Sequence, residues 1–193
     1  MTLLQVMPDS RPGDVLLRTR DRPRIADVLR DHSVALRHWS VRGSLPPDAT
    51  EREVLSHYRT EVDTLCAEES LRLVDVVQLR PEDTPAWRER AAKAREAFLD
   101  EHRHGENEVR FFAHGTGCFY LHLADRVLAV VCEEGDLLSV PAGTAHWFDM
   151  GRQPDFCAIR FFQAEDGWIG DFTGDPLARR FPTLDDLLAD PHA

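Results

Sequence analysis

The chain has 193 residues, of which 42% are hydrophobic and 30% charged, so it can bury a full core without disulfides or a stapling metal and is neither a fibrous nor a disordered composition. Its 23 basic and 34 acidic side chains give a formal charge of -11, which disfavours phosphate backbones and anionic lipid surfaces and so argues against nucleic-acid and membrane partners. The longest apolar run, Val127 to Cys132, is bounded by Arg126 and Glu133 and falls far short of the ~18 residues of a membrane span, and the first residues lack the pattern of an export signal. A cytosolic single domain is the expectation.

In chain order, Pro23 with Ile25, Val28 and Leu29 predicts a short helix ending near His32, and Val34 to Val41 alternates loosely as a half-buried strand does. A loop follows over Gly43 to Pro47. Thr50 and Glu53 then form a capping box, ahead of an apolar stripe (Val54, Leu55, Tyr58, Val62, Leu65, Cys66) that predicts one helix to about Ala67. Leu71 to Leu79 is rich in β-formers. Thr84-Pro85 opens a third helix, with proline in the first turn where its missing N–H is not needed, and Trp87, Ala91, Ala94 and Phe98 face one side.

From about Arg103 the hydrophobic period changes from 3.6 to 2. Short strands are predicted at 108–112, 118–123, 126–132, 136–140, 146–148 and 156–162, separated by turn residues such as Gly115-Thr-Gly117, Gly135 and Pro141-Ala-Gly143. Many short strands with close turns indicate an antiparallel barrel or sandwich. One or two short helices are expected between Leu177 and Ala189. The cysteines Cys66, Cys118, Cys132 and Cys157 form no Cys-x-x-Cys pair and read as small buried hydrophobes.

Chemistry concentrates in two segments. In His102-Arg-His104-Gly-Glu-Asn-Glu108-Val-Arg110, side chains two apart in extended chain share a face, so His102 and His104 can converge and Glu108 and Arg110 can look into the same space. His146 follows the Pro141-Ala-Gly143 turn and can pair across the sheet. Three imidazoles and one carboxylate suit a borderline divalent ion such as Fe, Ni, Co, Mn or Zn, and four protein ligands in an octahedron leave two positions open. A closed structural zinc site would instead be tetrahedral and use thiolates.

These residues carry a resemblance. The pattern H-x-H-x3-E-x6-G (His102, His104, Glu108, Gly115) resembles the first cupin motif, and G-x5-P-x-G-x2-H (Gly135, Pro141, Gly143, His146) resembles the second. Glu96 and Met150 depart from the residues that often open the first motif and close the second, and neither is a candidate ligand. More narrowly, Glu101 to Phe112, Ser139 to Gly151, Ala158 to Phe162 and Gly167 to Asp175 resemble the bacterial acireductone dioxygenases, and the order of N-terminal elements is similar as well, so the likeness runs over nearly the whole chain.

The resemblance implies a mainly β fold with N-terminal helices, a cupin-type antiparallel β-barrel (double-stranded β-helix or jelly roll). An N-terminal α/β segment (1–100) would pack on a core (101–163) bearing both metal motifs, with a C-terminal cover (164–193). It implies His102, His104, Glu108 and His146 as ligands of one Fe(II) or Ni(II), and a monomer. The substrates would be 1,2-dihydroxy-5-(methylsulfanyl)pent-1-en-3-one and O2. With Fe(II) the products would be 4-methylsulfanyl-2-oxobutanoate and formate; with Ni(II), 3-methylsulfanylpropanoate, formate and carbon monoxide. Arg110 would offset substrate charge. Phe98, Phe148 and Trp168 match positions lining the pocket for the methylsulfanyl chain, although plain core packing explains each equally well. Glu101 and Asn107 match positions linked to metal loading and conformational relay, or are solvated neighbours. His114 reads as strand surface and His122 as a satisfied histidine within the sheet. The alternatives are a metallo-cupin dioxygenase for another enediol or diketone, and a non-catalytic metal-binding cupin.

Overall fold

The computed structural model describes all residues except 42, 44, 165, 166, 168 and 190–193. Its strands are β1 (Leu3–Pro8), β2 (Leu17–Thr19), β3 (Ala35–His38), β4 (Leu73–Leu79), β5 (His102–Arg103), β6 (Glu108–Leu123), β7 (Arg126–Glu133), β8 (Asp136–Val140), β9 (Ala145–Asp149), β10 (Phe156–Phe162) and β11 (Asp171–Phe172). Its helices are α1 (Arg22–Arg30), α2 (Glu51–His57), α3 (Arg59–Glu69), α4 (Pro85–Leu99) and α5 (Leu184–Ala189), with a 3-10 turn over Pro176–Arg180.

The capping box at Thr50 forms as expected: its side chain accepts from the Glu53 amide, and the Glu53 carboxylate accepts from the Thr50 amide. The helix expected to run from there to Ala67 is instead two, broken at Tyr58. The Tyr58 ring is fully buried against Phe111, so tertiary packing sets the break that hydrophobic period alone does not show.

Every strand pairing is antiparallel, and two sheets share β6. One runs β11-β5-β9-β6-β7-β1-β2; the other runs β3-β8-β6-β10-β4. Residues 108–115 of β6 pair with β8 and β10, and residues 116–123 pair with β7 and β9. Among the described residues neither sheet closes on itself by hydrogen bonds.

The sequence predicts a turn at Gly115-Thr-Gly117, yet β6 runs straight through it. The glycines serve a different purpose. A register shift opposite Cys157 and Ala158 marks a bulge, and Gly115 has φ +72°, where a Cβ would stand 1.9 Å from the Asp155 carbonyl oxygen. The strand can therefore change sheets without ending.

Both faces of the central strands β6, β7, β9 and β10 are covered. Between the sheets lie Phe112, Phe119, Leu128, Val130, Phe148 and Phe156, with Ile25 and Leu29 of α1. Leu177, Phe181, Leu184 and Leu187 cover the outer face of β7 and β9, while Val54, Tyr58, Val62 and Leu65 cover the outer face of β6 and β10. This double burial explains why Val127 to Cys132 is apolar throughout rather than alternating. Cys118, Cys132 and Cys157 are buried and unbridged, as expected, and Cys66 is half-buried and unbridged. Among the described residues no helix is long and apolar enough to cross a membrane.

Candidate metal centre

The pairing of β5 with β9 sets His102 directly opposite His146, and β9 in turn sets His146 opposite Leu121 of β6. His104 follows β5, where its carbonyl accepts the Gly143 amide from the Pro141-Ala-Gly143 turn. Gly143 takes φ +76°, the left-handed conformation that glycine adopts without strain, so the second motif's glycine holds the turn against the first motif's histidine. Ligand-type nitrogens of His102, His104 and His146 lie within 4.8 Å of one another. Glu108 opens β6 with Oε2 at 2.6 Å from His146 Nε2 and 3.7 Å from His104 Nε2. The four residues named as ligands from the sequence are thus gathered at one point, and all are buried.

Each imidazole is oriented by a backbone carbonyl. His102 Nδ1 donates to the Asp100 carbonyl at 2.8 Å, His146 Nδ1 to that of Thr144 at 2.8 Å, and His104 Nδ1 to that of Ile169 at 3.0 Å. A neutral ring that donates from Nδ1 keeps its lone pair on Nε2, which is the form a metal ligand needs. His146 Nε2 and Glu108 Oε2, though close, are buried without an aligned hydrogen-bond partner. Two facing lone pairs out of water need a shared positive partner, either a proton or an ion bound to both, and three imidazoles with one carboxylate are a donor set that fits a divalent ion.

The electrostatics agree. Burial and the neighbouring His146 push the His102 pKa down to about 4, so that ring is neutral near pH 7. Burial opposes charge on Glu108, but Arg110, His146 and His104 outweigh it and hold its pKa well below the usual carboxylate range. Burial also opposes protonation of His146, and Glu108 more than offsets this and raises it.

A cavity of about 220 Å³ opens on this cluster, lined by His102, His104, Glu108, Arg110, Arg160 and the apolar Phe98, Phe162 and Phe172. Arg110 NH2 reaches Glu108 Oε1 at 2.5 Å, its guanidinium lies 5.4 Å from the ring centroids of Phe119 and Phe148, and its buried Nε has no partner. Phe98 lines this cavity and also a smaller one of about 150 Å³ behind Arg110, where Phe148 is found. Trp168 lies outside the described residues.

Glu101 is buried rather than solvated. Its carboxylate accepts from Thr173 Oγ1 at 2.9 Å and lies 2.7 Å from His122 Nδ1, so His122 is satisfied away from the cluster. Asn107 is exposed, and its Oδ1 accepts from the Ala142 amide at 3.0 Å, tying the two motif loops together. His114 is half-buried between Glu134 and Asp155. Sequence reasoning did not single out Arg160, Phe162 or Phe172 individually. Parity within a strand finds neighbours along β6, whereas Arg160 reaches the cavity from β10, which requires the cross-strand register.

Residues 3–170 match the model of the ARD/ARD' family. The chain is 61% identical to "Acireductone dioxygenase 1" of Nocardia farcinica, over 97% of this chain and 100% of that one. It is 47% identical to the acireductone dioxygenase of Pseudomonas syringae pv. syringae, over 96% and 98%. Among solved structures it resembles "Acireductone dioxygenase from Bacillus anthracis with cadmium ion in active center", with TM-score 0.73 and 25% identity, over 89% of this chain and 98% of that one. With a family match spanning most of its length, the chain belongs to the ARD/ARD' family.

Proposed function

We propose that this protein is a metal-dependent acireductone dioxygenase, cleaving 1,2-dihydroxy-5-(methylsulfanyl)pent-1-en-3-one with O2 in methionine salvage. The observation that carries the reading is the set of three Nδ1–H to carbonyl bonds, which turns three imidazole lone pairs towards one point beside the Glu108 carboxylate. His102, His104, Glu108 and His146 would hold one Fe(II) or Ni(II) per chain. When bound, the ion supplies a Lewis-acidic centre that a deprotonated enediol can chelate.

The chain's own residues supply the rest. Glu108 lowers the charge of the occupied site to about +1, which leaves attraction for a dianionic substrate. Arg110 is already fixed by Glu108 and by two aromatic faces, and its unpartnered Nε–H is a donor for substrate oxygen. Phe98, Phe162 and Phe172 form apolar walls suited to the methylsulfanyl chain and to excluding water. Phe148 and Trp168 are assigned to the same wall, and Glu101 and Asn107 to holding the loops on either side of the ligands. The two-sheet architecture is read as a cupin-type barrel in a single domain acting as a cytoplasmic monomer.

The test loads metal-free protein with Fe(II) or Ni(II) and mixes it with anaerobically prepared acireductone and then O2. The expected products are 4-methylsulfanyl-2-oxobutanoate and formate with Fe(II), or 3-methylsulfanylpropanoate, formate and carbon monoxide with Ni(II). A metal-replete protein that consumes no O2 with this substrate overturns the activity and leaves a metal-binding cupin.

A further inference from the structure

Three charged residues form one row across three strands. Arg160 of β10 is the direct partner of Asp75 on β4 and of Arg110 on β6. Asp75 accepts from Arg160 Nε at 2.8 Å and from NH2 at 2.6 Å, a bidentate grip that also leaves the guanidinium 5.4 Å from the Phe162 ring centroid. Arg160 and Arg110 both line the cavity that holds His102, His104 and Glu108.

Like charges directly opposite on neighbouring strands repel, so this arrangement needs a reason. Each cation has its own carboxylate, Glu108 for Arg110 and Asp75 for Arg160. The grip on Asp75 uses the Nε–NH2 edge of Arg160, so the NH1 side of the fork is not engaged by that carboxylate. An acireductone carries oxygens on three neighbouring carbons. Two can chelate an ion, which leaves the third in need of a hydrogen-bond donor from the cavity wall.

Resting on the acireductone reading above, we propose that Arg160 is a second substrate-binding cation, donating to the oxygen that does not chelate, and that Asp75 is the positioning residue that aims it. Arg110 and Arg160 then divide the substrate between them, and the preference is for a three-oxygen enediol over a two-oxygen chelator.

The experiment uses full-length protein loaded with Ni(II), wild type beside Arg160→Gln, Arg160→Lys and Asp75→Asn. Anaerobic titration with the acireductone and, separately, with the two-oxygen chelator acetohydroxamic acid gives two affinities; metal content and aerobic KM are read on the same preparations. Arg160→Gln is expected to weaken acireductone binding about ten-fold or more. It should leave acetohydroxamate binding and metal content at wild-type levels. Arg160→Lys should recover part of the loss. Asp75→Asn should raise KM about three-fold or more with a smaller change in kcat, since it loosens the aim and keeps the charge. Equal weakening for both chelators, loss of metal in Arg160→Gln, or an unchanged acireductone affinity in Arg160→Gln and KM in Asp75→Asn overturns the proposal. Wild-type protein that does not turn over the acireductone overturns the activity instead, so the two failures are distinct.

Discussion

His102 and His146 are direct cross-strand partners, and each ring donates its Nδ1–H to the carbonyl two residues before it, Asp100 and Thr144. The same local device is thus used twice, from opposite sides of one strand pair. It leaves Nε2 of each ring turned towards His104 and Glu108, the nitrogen that a metal ligand presents.

From this follows the first prediction. His102→Ala or His146→Ala should cut bound Ni(II) or Fe(II) per chain at least ten-fold and lose activity in parallel, as measured by elemental analysis beside O2 uptake. Wild-type protein should melt higher with metal than with chelator, because an ion that binds only the folded state at ~1,000 times its Kd adds about 4 kcal/mol. In the histidine variants that difference should collapse. Retention of metal by either variant would show that the ion is held elsewhere.

Arg110 separates binding of metal from binding of substrate. Its guanidinium is paired with Glu108, its Nε is buried without a partner, and the residue lines the cavity. Arg110→Ala should keep metal and lose about 10²–10³-fold in turnover, the size seen when one preorganised donor to a developing or bound anion is removed. Full activity in that variant would assign the residue to packing alone.

The gathering of His102, His104, Glu108 and His146 was legible because short motif spacings and a turn glycine are local properties, although a bend over 105–106 between β5 and β6, rather than continuous strand, brings Glu108 round to the histidines. His102, His104, Glu108 and Arg110 share parity, and Gly143 positions the chain before His146. The path of β6 was not legible, because Gly115 and Gly117 look like turn residues unless the Asp155 carbonyl and the Phe148 ring pressed against them are known. Nor was β1, whose Leu-Leu-Gln-Val-Met is short, buried almost throughout, and has its register set by β7. Arg160 illustrates the same limit in the site itself: the residue is visible in the sequence, and its partnership with Arg110 exists only once β10 has found its register on β6.

The acid sensitivity of the fold should trace in part to Asp149. This carboxylate is buried and accepts from Arg95 Nε at 2.6 Å and NH2 at 3.0 Å, and from the amides of Leu184 and Gly151 at 2.9 Å each, joining α4 and α5 to β9. Burial pushes its pKa up, but the Arg95 bonds and the two amides prevail and leave it below the ordinary value. A depressed folded-state pKa contributes stability that is full above the unfolded pKa of about 3.9 and is lost as pH falls through the folded value. Asp149→Asn should therefore cost about 3 kcal/mol at pH 7 and at pH 5. The gap should narrow below about pH 4 as wild type itself becomes protonated. Urea unfolding of both proteins with chelator present, at pH 7, 5 and 3.5, measures this; a gap that widens in acid would contradict it.

The two glycines of β6 should respond differently to one added methyl group. At Gly115 the φ of +72° and the Asp155 carbonyl oxygen 1.9 Å from the new Cβ both oppose it, and neither can yield without moving the backbone between the sheets. At Gly117 the obstacle is the Phe148 ring, 2.4 Å from the new Cβ, and a side chain can shift. Gly115→Ala should therefore lose more than about 2 kcal/mol, and Gly117→Ala about 1–3 kcal/mol with the fold intact. Because the Arg110 guanidinium lies over Phe148, the displaced ring in Gly117→Ala should also disturb Arg110 and raise KM for the acireductone while metal content stays constant. Chemical denaturation, metal analysis and steady-state kinetics on the two variants check all three points. A Gly117→Ala protein with wild-type KM would show that Arg110 does not depend on that aromatic support.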